Sequence, residues 1–203
     1  MRRVRWWAVL SAGLAPVFLI GGWTLAARRQ PHGYDPGRDT ISALAGHGAT
    51  DRWVMTAGLV GLGACHVITA LGLRPAATPG RVLLATGGVA TLLVAAFPVP
   101  RAGTSPAHFA AALAAFGALT LWAAAAPPRR SPDPPPWALR PVVSVPATVV
   151  LATLLGWFAI ELFGDGAHIG RSERAVAAAQ ALWPLCVALS AALTTAGTQP
   201  RAG

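Results

Sequence analysis

Lysine and asparagine are absent from this 203-residue chain, tyrosine occurs once, and only seven residues are acidic. Charged residues make up 11% of the chain against 54% hydrophobic ones. A soluble domain carries about a quarter charged residues, so these shortages exclude an ordinary soluble fold. All sixteen basic residues are arginine, and alanine, glycine and proline are abundant, which reads as the coding bias of a GC-rich bacterium. Only two cysteines occur, Cys65 and Cys186, each inside an apolar run. That excludes a disulfide scaffold and leaves two inert thiols. The net charge of +9 does not indicate nucleic acid, because the arginines are scattered in short groups and form no basic face.

What the chain has instead is long apolar runs. Six are of the length a spanning helix needs, about 20 residues: Trp6–Ala27, Trp53–Leu73, Val82–Pro98, Ala107–Ala126, Val142–Phe163 and Ala175–Thr195. The third is the shortest. None alternates with period two, so strands are excluded as the spanning element. The first run follows a basic start, "MRRVR", as a signal peptide would, but it is too long and reads as a retained anchor. The expected fold is all-α: a single domain over residues 1–203, an integral membrane bundle of six transmembrane helices.

Arginine placement orients the bundle. An inner N-terminus puts Arg2, Arg3, Arg5, Arg74, Arg81, Arg129, Arg130, Arg140 and Arg201 inside, with one acid, Asp133. The other side then holds seven arginines and six acids. Both termini are expected in the cytoplasm, and Trp6, Trp7, Trp53, Trp122 and Trp137 are expected at the interfaces. The proline-rich stretch "PPRRSPDPPPWALRP" reads as a stiff spacer between the fourth and fifth spans. Helices in lipid associate through small residues. The second span offers Ala57, Gly61, Ala64, Cys65, Ile68 and Gly72 as such a seam, and the fourth offers Ala107, Ala111, Ala114, Ala118 and Ala125.

Polar groups inside a span are costly and mark places to examine. His66 lies 13 residues into the second span, about 20 Å along it. Alone there, it reads as a neutral imidazole bonded to a carbonyl or hydroxyl of a neighbouring helix. His108 opens the fourth span and Glu161 closes the fifth. Ser172 is placed to cap the sixth, with Glu173 favouring its positive end. Glu173, Ala177, Gln180 and Pro184 share one face, a polar stripe descending into the membrane beside a proline kink.

The polar island Arg28–Arg52, "RRQPHGYDPGRDTISALAGHGATDR", stands between the first two spans. Asp-Pro-Gly is a turn signal at Asp35–Gly37, and Asp39 or Thr40 suits the cap of a short helix over Ile41–Ala45. His32, His47, His108 and His168 with Asp35, Asp39 and Asp165 are metal-ligand types, but no spacing joins them, so no metal and no cofactor is assigned. Nor is there a nucleophile elbow, a Gly-rich phosphate loop or a two-cysteine motif, and no catalytic residue is assigned.

The blocks "DTISALAGHGATDRWVMTAGLVGLG" (Asp39–Gly63), "LLVAAFP" (Leu92–Pro98), His108 and "GRSERAVAAAQALW" (Gly170–Trp183) occur in an order that resembles the bacterial membrane family domain of unknown function 998. The resemblance implies six spans and a shared outer motif, with Asp39, Ser42, Asp51, Arg52, His108, Glu173 and Arg174 as the family-like polar residues. It implies no reaction. Val99, Pro100 and Arg101 stand where family members often carry an acid after the Phe-Pro pair.

The leading expectation is a non-enzymatic multi-pass protein of a bacterial inner membrane that binds a lipid or small amphiphile at its outer face. The ligand-facing residues would be Asp39, Ser42, His108, Glu161, Glu173, Arg174 and Gln180, with Arg174 paired to Glu161 or Asp39. The alternative is a proton-coupled small-solute transporter using Glu161, Gln180 and His66 as a relay, and a third reading is a metal-dependent membrane hydrolase. Membrane lipids are the expected partners, nucleic acid is not, and small-residue faces leave room for an oligomer.

Overall fold

A computed structural model describes residues 3–31, 33–128 and 134–196. Met1, Arg2, His32, Arg129, Arg130, Asp133 and Arg201 lie outside the described residues. The chain begins with α1 (Trp6–Pro16), a π turn (Val17–Gly21) and α2 (Gly22–Arg28), which run on as one 23-residue rod. A short helix α3 (Ile41–Ala45) precedes α4 (Trp53–Gly72), α5 (Thr78–Ala96), α6 (Pro106–Ala125), α7 (Pro141–Phe163) and α8 (Ile169–Ala196). No strand occurs among the described residues. Six of these helical rods are long and apolar enough to cross a membrane, so the all-α six-span bundle is the observed fold.

Two span boundaries differ from expectation. The third span opens at Thr78, because Pro79 in its first turn starts a helix readily, and it stops at Ala96 because Pro98 bars Phe97 from helical backbone. The sixth opens at Ile169, six residues early. Its first turns carry Arg171, Glu173 and Arg174, charges that hide a helix from a hydropathy reading; here Glu173 and Arg174 find partners in the loop above.

Each span packs on the next, and α8 returns to α1, closing a ring. The seams rest on small residues, in part those the sequence suggested. In α4 the expected Cys65 and Gly72 are buried and Gly61 packs against Phe18, whereas Ala57 and Ile68 are exposed; Gly58, Gly63 and Ala70 are buried besides. A Cβ on Gly63 would stand 2.7 Å from the Gly88 carbonyl oxygen of α5, and one on Gly88 would stand 2.7 Å from that of Gly63. The two backbones therefore touch directly. In α6 the expected Ala111 and Ala118 face inward with Ala115 and Trp122, while Ala107 and Ala114 face outward. A chain of small residues looks alike on every helix face, which is why spacing alone selected only part of each seam. Trp122 is fully buried, not interfacial, whereas Trp6, Trp53 and Trp137 are exposed as anchors would be.

The alternating spans gather loops 29–52, 97–105 and 164–168 at one end, the lid end. There the His47 amide donates to the Val99 carbonyl (2.9 Å) and the Arg171 amide to that of Gly37 (3.2 Å). The opposite end joins residues 3–5, 73–77, 126–128 and 134–140, with Arg5 N bonded to Gly72 O (3.1 Å) and Ala77 N to Ala126 O (2.8 Å). The end of the proline-rich stretch does more than space. A 3-10 turn, Trp137–Leu139, buries Ala138 and Leu139 against α8, and the Ala138 amide donates to Ser190 Oγ (3.1 Å).

Candidate functional site

The polar island folds into a lid. Asp35 Oδ1 accepts from the Gly37 amide (2.7 Å), closing the Asp-Pro-Gly turn, and Asp39 Oδ2 accepts from the Asp35 amide (2.7 Å). Thr40 is the N-cap of α3, its hydroxyl accepting from the Ala43 amide (3.1 Å). At the lid's far edge Gln30 exchanges two bonds with the backbone of Thr50, and Arg29 pairs with Asp51 (3.0 Å) over the face of Trp53.

The first turns of α8 hold this lid down. Gly170 lacks the Cβ that would stand 2.5 Å from the carbonyl oxygens of Pro36 and Asp39, so the loop lies directly on the helix. Arg174 Nη1 donates to the carbonyls of Pro36 (2.8 Å), Asp39 (2.8 Å) and Gly170 (2.9 Å). Its Nη2 donates to the Tyr34 hydroxyl, and the guanidinium lies over Trp23 (5.9 Å). Burial pushes the Tyr34 phenol above its usual range, with the Arg174 charge opposing the rise. Glu173 is buried and caps α3 from outside it: one oxygen accepts from the Ile41 amide and the other from Ser42 Oγ (3.0 Å). Helix-terminal amides need such a partner, and a carboxylate suits the positive end. Thus "DTIS" and "GRSER", about 130 residues apart in the chain, are two halves of one clasp.

Beneath the clasp lies a cavity of about 60 Å³. Glu173 and Ser42 stand at its lid side, and Gln180, Thr91 and His66 line it further down among Leu19, Leu62, Val94 and Phe116. Glu173 and Gln180 are separated by seven residues of α8, about 10 Å of rise, so the polar lining runs well into the bundle. Gln180 is held by the Phe116 carbonyl and the Thr120 hydroxyl, both at 3.0 Å, and Thr91 bonds the Gly87 carbonyl (2.8 Å). His66, 1% exposed, has the Gln180 backbone of α8 as its polar neighbour, the kind of partner on another helix that the sequence led one to expect, although neither ring nitrogen meets it in full hydrogen-bond geometry.

Of the seven residues singled out in the sequence, Ser42, Glu173 and Gln180 line this cavity, and Asp39 and Arg174 belong to the clasp above it. Arg174 bonds the backbone of Asp39, not its carboxylate, and does not pair with Glu161. Glu161 instead accepts from the His168 amide (2.7 Å) and Trp157 Nε1 (3.3 Å), shaping the turn into α8 away from the cavity. His108 is also apart, its Nδ1 bonded to the Phe97 carbonyl (2.8 Å), which ties the start of α6 to the end of α5. Ser172 lies inside α8, bonded to the Ile169 carbonyl, so it is no cap. Among the described residues no three His, Cys, Asp or Glu side chains converge. Thr91 was missed, since nothing in the sequence separates it from a threonine bonded only to its own helix.

Residues 7–190 match the family described as protein of unknown function, DUF998. The chain belongs to this family. Two of the blocks that suggested the family meet here, the first building the lid and the last supplying the clasp, while Phe97 and His108 bond each other apart from it. No curated protein and no solved structure matches the chain. This DUF998 member is a multi-pass membrane protein by its six apolar helices.

Proposed function

We propose that this DUF998 protein carries protons or a very small polar solute through an occluded site formed by Glu173, Gln180, Thr91 and His66. The observation that carries the reading is the convergence of Glu173, Gln180, Thr91 and His66, from three different helices, on one small cavity inside an otherwise apolar bundle. Polar groups inside a span are costly, so four around one cavity argue for a polar occupant. At about 30 Å³ per water, the cavity accommodates about two waters or a solute of few heavy atoms. An amphiphile does not fit inside it. The lid end offers less for a lipid headgroup than the sequence suggested, because Arg174 is already engaged with three carbonyls and a phenol.

The relay expected from the sequence changes one member: Glu173 replaces Glu161, which stands outside the cavity. Access would come from the lid end by release of the clasp. We place the protein in a bacterial cytoplasmic membrane with its termini inside, because the arginines opposite the lid have no acidic neighbour among the described residues. The test is proton flux into liposomes loaded with a pH-sensitive dye and clamped with valinomycin. Wild type is expected to exceed empty liposomes, with Glu173→Gln and His66→Leu each reducing flux at least tenfold. Flux equal to that of empty liposomes, with and without small polar solutes such as ammonium, formate and urea, would overturn the proposal.

A further inference from the structure

The end opposite the lid has a recess of about 380 Å³ lined by Arg3, Arg74, Arg81 and Leu71. Arg81 reaches back from α5 to the C-terminus of α4, its Nε donating to the Ala70 carbonyl (2.7 Å) and Nη2 to that of Leu71 (2.9 Å). These bonds satisfy two of the last carbonyls of α4 and fix the guanidinium at the rim of the recess. The side chains of Arg3 and Arg74 are exposed and make no hydrogen bond or ion pair among the described residues. At the lid end Arg29 and Arg38 pair with aspartates, Arg52 and Arg101 bond His47 and Arg174 is fully engaged, while Arg28 and Arg171 are exposed singly and, among the described residues, line no recess with other arginines.

Three guanidinium groups around one recess repel each other unless an anion joins them. Arginine forks favour phosphate oxygens. Leu71 is 60% exposed beside them, so the recess borders the hydrocarbon as well as the charges. A free anion uses only the charged part of such a site, whereas a phospholipid uses both. We propose that this recess binds the phosphate of an anionic phospholipid from the leaflet facing it, with an acyl chain running along Leu71. The site is independent of the cavity and of what the cavity carries.

Native mass spectrometry after extraction from vesicles of equal phosphatidylglycerol and phosphatidylcholine tests this. Wild type is expected to retain phosphatidylglycerol selectively. The double variant Arg3→Gln with Arg74→Gln should weaken that retention roughly thirtyfold, while Arg140→Gln, an arginine at the same end outside the recess, should not. Neither Arg3 nor Arg74 supports the fold by a bond, so an unchanged unfolding temperature is expected alongside. Equal loss in the Arg140→Gln variant would reduce the effect to general surface charge and overturn the site. Displacement of the lipid by millimolar inorganic phosphate would assign the recess to a soluble anion and overturn the lipid.

Discussion

At the residue scale, Arg174 and Gly170 decide whether the lid lies down. Removing the Arg174 side chain leaves three carbonyls and the Tyr34 hydroxyl without their charged donor, a loss of about 2 kcal/mol or more. The Arg174→Ala variant should therefore unfold earlier in a detergent melt, and Arg174→Lys should recover only part, because one ammonium cannot span the carbonyl cluster and the phenol. Gly170→Ala should do similar harm by contact alone. His66→Leu should do less harm: it keeps a similar volume and loses only the contact with the Gln180 backbone, so its melting temperature should fall by little even as flux is lost. A fall of several degrees would make His66 a structural rather than a transport residue. These residues were unequally legible. The turn at Asp35, the Thr40 cap and the polar stripe of Glu173 and Gln180 follow from local chemistry that a sequence displays. The partner of Glu173 is 131 positions away, so it could not be read along the chain.

At the element scale, α4 and α5 meet backbone to backbone at Gly63 and Gly88. Gly63→Leu would drive a side chain into the Gly88 carbonyl and Leu92, forcing the helices apart. Its expected result is loss of the monodisperse peak in size-exclusion chromatography, whereas Ala57→Leu on the exposed face of the same helix should leave the peak unchanged. The spans themselves were legible because lipid demands about 20 apolar residues regardless of tertiary context. Their inward faces were legible only in part. In α6 the expected Ala111 and Ala118 do face inward, but in α4 and α6 small residues occur all round the helix, and only the neighbouring backbone selects Gly58 and Gly63 over Ala57. The opening of α8 was hidden for a related reason, since Glu173 and Arg174 are matched by a loop that hydropathy does not consider.

At the scale of the whole molecule, the two ends differ in charge: acids stand among the arginines at the lid end, and the described residues of the other end carry arginines without acids. This asymmetry predicts that a reporter inserted at Gly33 faces the periplasm and one following Pro128 faces the cytoplasm; the reverse pattern would invert the direction of access. The central claim is that a clasp formed by Gly170, Glu173 and Arg174 closes a polar cavity inside the bundle. It is tested most directly by placing a cysteine at Ala177, in the cavity wall, after replacing Cys65 and Cys186 by alanine. Reaction with a small membrane-impermeant methanethiosulfonate applied from the lid side should be slow with the clasp intact and at least tenfold faster with Arg174→Ala, in protein that remains monodisperse. Equal rates in the two backgrounds would contradict the account.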